Sequence, residues 1–398
     1  MESRRAQYGN WVLIAVVLLL FGTAVAATQY KVPVIMPSIM ERFGMDAGSS
    51  SWLMSIFTFV GIVLAIPTGV LAKKFGPKSM LVAAAGIAII GSLVGAFSTD
   101  ATMLIVSRGI EGVAFIFVTI CGPLAVQRYV APEKIGSATG IWALWVCLGS
   151  VVGGVATPSL FAASAFSGVW VVYAVCVAVF AAAVVAFVRF PAGDSALDAA
   201  DSTELTTQDA SYVDLLKPNI LLFFAAFLLF NLVLLSVLAF SPAWMQSQGI
   251  DPTVSGFLST LPMLLAVVSS PLFGSLSDKL GRCKPLYLIG MLAMGPCAFL
   301  MLTGSGAALW AGAIGMGLIG LGVPVMCLTS YIHVLGRPEL MSFGMGVLML
   351  VQSLGQFLGT FVPSLLLGAA ADQWMLLGSA MFVVGLLGTG AVALCKFE

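Results

Sequence analysis

Gly274-Ser275-Leu276-Ser277-Asp278-Lys279-Leu280-Gly281-Arg282-Cys283-Lys284 places four charges in eleven residues between two apolar runs, 254–276 and 286–304. Each run approaches the ~20 residues that cross a bilayer. An earlier stretch, Gly69-Val70-Leu71-Ala72-Lys73-Lys74-Phe75-Gly76-Pro77-Lys78, sits in the same way between runs 51–72 and 79–98. Gly69, Leu71 and Gly76 match Gly274, Leu276 and Gly281 at an offset of 205 residues. At an offset of 206, Pro132, Glu133, Gly140, Gly149 and Gly153 match Pro338, Glu339, Gly346, Gly355 and Gly359. The chain therefore reads as two copies of one membrane-spanning unit.

Extending the reading outward gives twelve apolar runs, at 10–40, 51–72, 79–98, 101–127, 136–162, 168–189, 218–244, 254–276, 286–304, 307–335, 341–367 and 373–395. The first is longer than one bilayer, and Pro33 and Pro37 are expected to bend it near its end. The expected fold is an all-α membrane protein of twelve transmembrane helices in two six-helix bundles, 1–190 and 218–398. An acidic linker at 191–217 carries Asp194, Asp198, Asp201, Glu204, Asp209 and Asp214.

Composition agrees. Of 398 residues 60% are hydrophobic, and 17 basic and 17 acidic residues make only 9% charged. Soluble domains carry about 25%. A water-soluble enzyme, a nucleic-acid binder and a disordered chain are excluded, and most of the surface must face lipid. Lysine and arginine set orientation. With the N-terminus cytosolic, Arg42 alone falls outside, against Arg4, Arg5, Lys73, Lys74, Lys78, Arg128, Lys134, Arg189, Lys217, Lys279, Arg282, Lys284, Arg337 and Lys396 inside. Both termini and the linker are then cytosolic. The seven cysteines include no C-x-x-C pair, and His333 is the only histidine, so neither a disulfide scaffold, a metal site nor a cofactor is expected.

The stretch at 274–282 resembles the loop motif of the major facilitator superfamily, Gly-x-Leu-x-Asp-Arg/Lys-x-Gly-Arg. The resemblance implies a gating role for Gly274, Asp278, Gly281 and Arg282, and for Gly69 and Gly76 of the first copy, where Lys73 replaces the acid. Arg108-Gly109-Ile110-Glu111-Gly112 resembles the family's Arg-x-x-x-Gly motif in the fourth span. Gly140, Gly149, Gly153 and Gly154 resemble the glycine pattern of its drug–proton antiporters, with Gly154 in place of a proline. The same spacing at Gly346, Gly355 and Gly359 favours a packing role. Gly9-Asn10-Trp11, Lys31, Trp52 and Lys74-Phe75-Gly76-Pro77-Lys78 resemble the monocarboxylate transporter family over the first 80 residues only. The charge-free stretch Leu265 to Gly274 departs from it.

Three charges lie well inside spans: Lys31, Arg108 and Glu111. Such charges are costly and persist mainly with partners or at a cavity. Lys31 lies about nine residues before the end of the first run and Arg108 about seven after the start of the fourth, so at ~1.5 Å per residue they share a depth. Glu111 is on the Arg108 face, three residues on. It can neutralise Arg108 and leave Lys31 unpaired, or it can carry a coupling proton. The alternative is a structural Arg108–Glu111 pair with Lys31 snorkelling to the outer surface. Thr28 shares the Lys31 face and Tyr30 is adjacent. Asn231 lies mid-way along the seventh span, and Gln352 and Gln356 share a face of the eleventh.

These residues give the expectation of a monomeric secondary transporter in a bacterial cytoplasmic membrane, moving a small organic anion, a monocarboxylate, by proton-coupled symport. Lys31 and Arg108 would bind substrate with Thr28, Tyr30, Asn231, Gln352 and Gln356, while Glu111 and Lys31 would handle the proton. A proton-driven multidrug exporter is the rival. A sensor with a carrier fold lacks a signalling domain, and no nucleophile–base pair suggests an enzyme.

Overall fold

A computed structural model describes residues 10–131, 134–188, 217–335, 341–367 and 373–397. The acidic linker, Gly9, Arg337 to Glu339, and the side chains of Lys73, Asp278 and His333 lie outside the described set. The described chain is helical, in fourteen α-helices. The first seven are α1 (Trp11–Val34), α2 (Met36–Phe43), α3 (Ala47–Phe75), α4 (Pro77–Ala96), α5 (Ala101–Tyr129), α6 (Ile135–Trp142) and α7 (Trp145–Phe187). The others are α8 (Pro218–Ser247), α9 (Pro252–Leu280), α10 (Lys284–Thr303), α11 (Ala307–Leu318), α12 (Val323–Leu335), α13 (Met341–Leu367) and α14 (Trp374–Leu394).

Polar residues at the run ends start these helices by accepting from otherwise unpaired N–H groups. Asn10 Oδ1 accepts from Val12 N (3.1 Å), Asp46 from Ser49 N (2.7 Å), Asp100 from Met103 N (2.9 Å) and Asp251 from Thr253 N (2.8 Å). The Ser49 hydroxyl and N–H hold the Asp46 carboxyl below the usual carboxylate range. The expected bend in the first run is a break: α1 stops at Val34 and the short α2 follows.

Eleven described helical stretches are long and apolar enough to cross a membrane, against twelve expected. The difference lies in Ala138–Phe187, 50 residues that cover both expected spans 136–162 and 168–189. Within it the helix breaks at Ala165, whose φ of 58° and ψ of −170° are outside any helical region. Exposed Val70, Val106, Val175, Val268, Leu365 and Leu387 form an apolar outer surface.

Small residues set the packing, as in membrane bundles. Gly149 and Gly153 of α7 lie against Ala26, Ala27 and Tyr30 of α1, and Gly355 and Gly359 of α13 lie against Leu228, Asn231 and Leu232 of α8. Of the repeated glycines, Gly149 and Gly153, and Gly355 and Gly359, are thus helix-packing positions, whereas Gly140 meets no neighbour. Met291, Met294 and Met301 are buried in the second half's core.

Described lysines near helix ends tie those ends together. Lys78 Nζ donates to Val185 O at 3.1 Å, and Lys134 stands over the Trp11 ring. Asn219 clasps the Lys396 backbone with both amide atoms, donating to its O (2.8 Å) and accepting from its N (2.6 Å). Lys284 Nζ caps Ala393 O and Cys395 O at the end of α14.

The halves meet at the opposite, distal end. Ser55 and Thr360 share a hydroxyl hydrogen bond of 3.0 Å, and Gln246 Nε2 donates to Val34 O at 2.8 Å. Trp52 packs edge-on against Phe361. Gly154 of α7 and Gly256 of α9 touch backbone to backbone, so a Cβ on either would collide with the other half. The seam is closed distally.

Candidate functional site

The three buried charges meet in one cluster. Lys31 Nζ donates to Glu111 Oε1 at 2.7 Å, the Ser92 hydroxyl donates to the same oxygen at 2.6 Å, and Arg108 Nη1 binds Glu111 Oε2. Lys31, Arg108 and Glu111 are each 0% exposed. Glu111 bridges both cations, so Lys31 neither stands unpaired nor snorkels to the surface. The cluster joins four helices: Lys31 from α1, Ser92 from α4, Arg108 and Glu111 from α5, and the second part of α7. From that last segment come Trp170, whose ring lies 4.4 Å from Lys31 Nζ, and Tyr173 at 5.7 Å.

Arg108 is spent largely on backbone. Its Nη1 donates to Thr28 O (2.7 Å), its Nη2 to Gln29 O (3.4 Å) and its Nε to Leu53 O (3.1 Å), over the Phe57 ring. Pro33 explains one of these partners. It has no N–H, so the carbonyl four residues earlier, Gln29, lacks its helical donor. A bare carbonyl inside a membrane bundle needs another donor, and Arg108 supplies it. Four of its five N–H groups are thereby engaged.

With Glu111 ionised the cluster carries one net positive charge. Removing such groups from water is costly, and the cost is recovered only by near-complete pairing. Glu111 is the hinge of that pairing, because it alone touches both cations. A proton on Glu111 would leave Lys31 and Arg108 as two unneutralised cations in one buried space, with only rings and carbonyls to hold them.

Of the other expected site residues, Thr28 joins the cluster through its carbonyl, while its hydroxyl bonds Val25 O. Tyr30, next to Lys31, points the other way and packs into the core of the second half. Asn231 is buried and donates to Phe227 O within α8 at 2.8 Å. Gln352 and Gln356 are half-buried on α13. The structure does not bring these three to the charges, which belong wholly to the first half. Gly76 and Gly281 end α3 and α9 with positive φ of 78° and 60°, and Gly69 and Gly274 lie inside those helices. The sequence reading missed Ser92, Trp170 and Tyr173. A serine amid the apolar run 79–98 was the available signal.

Comparison with known proteins places this architecture. The sequence model described as Major Facilitator Superfamily matches residues 12–360. An efflux pump of Dothistroma septosporum, dotC, is 35% identical over 156 residues, 37% of this chain and 27% of that protein. The galactose-proton symporter of Escherichia coli is 29% identical over 136 residues, 34% of this chain and 28% of that protein. The matched segments thus span less than a third of those relatives. A bacterial homologue of the human lysosomal transporter Spinster, solved inward-facing and occupied, shares the fold with a TM-score of 0.73 at 14% identity, over 96% of this chain and 93% of that one.

Proposed function

The chain belongs to the major facilitator superfamily and is an integral, multi-pass membrane protein, and from that premise we propose that it is a proton-coupled secondary transporter of a small organic anion. The halves, residues 1–190 and 218–398, rock about the seam, which in this conformation is closed distally, away from the basic, cytosolic end. The observation that carries the reading is Glu111 bridging Lys31 and Arg108. An ionised Glu111 holds α1 against α5. A protonated one releases Lys31 and destabilises this packing, so proton arrival and helix movement become one event. The galactose and arabinose symporters among the relatives are proton-coupled by name.

The anion preference rests on charge. Lys31, Arg108 and Glu111 are the formally charged side chains deep within the described spans, and they sum to +1. Nothing else described there offsets that field along the seam. In this conformation both cations turn inward, so the substrate meets the field rather than the side chains, with Gln352 and Gln356 as polar contacts. Direct contact with Lys31, as in a monocarboxylate carrier, requires a conformation in which Glu111 has released it. The helix ends at 69–76 and 274–282, with Asp278 and Arg282, would close the basic end in the opposite state.

An exporter of apolar cations would use the same proton site, but the positive cluster repels its cargo. A thermal-shift panel on the purified protein separates the two readings. Small carboxylates should raise the melting temperature and hydrophobic cations should leave it unchanged. The reverse pattern would establish the exporter.

A further inference from the structure

Between the distal surface and Lys31 stands a continuous stack of cations and rings. The exposed Arg42 guanidinium lies 4.7 Å from the Phe166 ring centre. Phe166 lies tilted against Trp170 with ring centres 4.4 Å apart, and Trp170 covers Lys31 Nζ at 4.4 Å. Phe43 of α2 seals the side of the stack, edge-on to Phe166 at 5.3 Å. Phe166 directly follows Ala165, a non-glycine residue with positive φ, a conformation that stores strain.

Two polar atoms line this stack without hydrogen bonds, the Ser107 hydroxyl and the Trp170 indole N–H, both in fully buried residues. Both lie over the bare Cα of Gly95, where a Cβ would overlap each of them. Ser107 is one turn from Glu111 on α5. Unpartnered buried donors are uncommon and call for an explanation. The seam offers no matching approach, since α7 packs tightly on α1 at Gly149 and Gly153.

We propose that the Arg42–Phe166–Trp170 stack is a proton gate, closed here, over a route that leads from the distal face past Ser107 to Glu111 within the first half, separate from the substrate seam. This rests on Glu111 being the group protonated in the transport cycle. When the gate opens, hydronium at Ser107 gives its proton to a Glu111 carboxylate oxygen, leaving water and a neutral carboxyl. Lys31 and Arg108 keep their protons. Glu111 is faced by Lys31 from α1, Ser92 from α4 and Arg108 from its own helix, while α3 contributes the Leu53 carbonyl and the Phe57 ring, to Arg108, and α7 contributes the rings of Trp170 and Tyr173, to Lys31. Water would satisfy the two lone donors in the open state and carry the proton between them. The strained Ala165 turn is the element that moves Phe166.

The full chain in liposomes loaded with a pH-sensitive dye tests this without any substrate. After an external acid pulse, Phe166→Ala should admit protons roughly tenfold faster than the native protein, as expected for an opened gate. The double variant Phe166→Ala/Glu111→Gln should return to the native rate. A second measurement does not depend on Glu111. Ser107→Cys in whole cells should resist a membrane-impermeant thiol reagent, and should become labelled, by peptide mass, when Phe166→Ala is added. Unchanged proton entry and unchanged labelling in Phe166→Ala would overturn the gate and leave the transport assignment intact. Fast entry that persists in the double variant would overturn the route to Glu111.

Discussion

Lys31 and Glu111, eighty positions apart in sequence, form a 2.7 Å ion pair from which water is fully excluded. The pair fastens α1 to α5, and Arg108 doubles it by gripping the carbonyls of Thr28 and Gln29. Charge, helix position and proton binding are therefore linked at one carboxylate.

The two halves of the ion pair are unequal. Lys31→Met leaves a neutral Arg108–Glu111 pair, whereas Glu111→Gln leaves two buried cations. Breaking a buried pair so that charge is uncompensated costs ~3–5 kcal/mol. Thermal unfolding in detergent should therefore rank Glu111→Gln well below Lys31→Met. An equal or inverted order would mean that Glu111 does not balance both cations.

The distal closure is held by Ser55 and Thr360, whose hydroxyls are 3.0 Å apart. Replacing both with cysteine should give a disulfide, since the side chains already approach within bonding range. Oxidation should abolish transport and a reductant should restore it. Full activity in the oxidised protein would show that the distal contact does not open during the cycle.

Ala165 holds a backbone conformation suited to glycine. Strain of this kind costs on the order of 1–3 kcal/mol. Ala165→Gly should raise the melting temperature, while Ala165→Val should lower it. A melting temperature that falls with glycine would place the strain elsewhere.

At the basic end, Asn219 pairs both amide atoms with Lys396. Asn219→Ala removes two hydrogen bonds that tie the chain after α14 to the start of α8, each worth ~0.5–1.5 kcal/mol. Melting should fall modestly, with transport coupling unchanged. A coupling defect would instead give this clasp a part in the cycle.

Much of the architecture was legible in the apolar runs and the repeated glycine loops, because bilayer thickness and backbone satisfaction leave a chain few alternatives. The depth shared by Lys31 and Arg108 was legible from helical rise, and the two do meet, through Glu111. What the sequence hid was direction. A helix apolar on every side, such as α1, has no periodicity to say which way Lys31 points, and it turns into the first half while Tyr30 faces the second. Spacing along α5 linked Glu111 to Arg108 but gave no sign of Lys31 across the helix interface. Pro33 did carry an unread clue, since its missing N–H predicts a free Gln29 carbonyl and hence a need for a donor. The break at Ala165 falls in the interval between the expected spans 136–162 and 168–189, so its place was legible, whereas its left-handed backbone was not, because alanine ordinarily continues a helix.

The most direct test compares native protein and Glu111→Gln in liposomes, measuring carboxylate exchange at equal pH and accumulation under an imposed pH gradient. The account predicts that both exchange substrate, and that only the native protein accumulates it against its gradient. Accumulation by Glu111→Gln at the native level would contradict it.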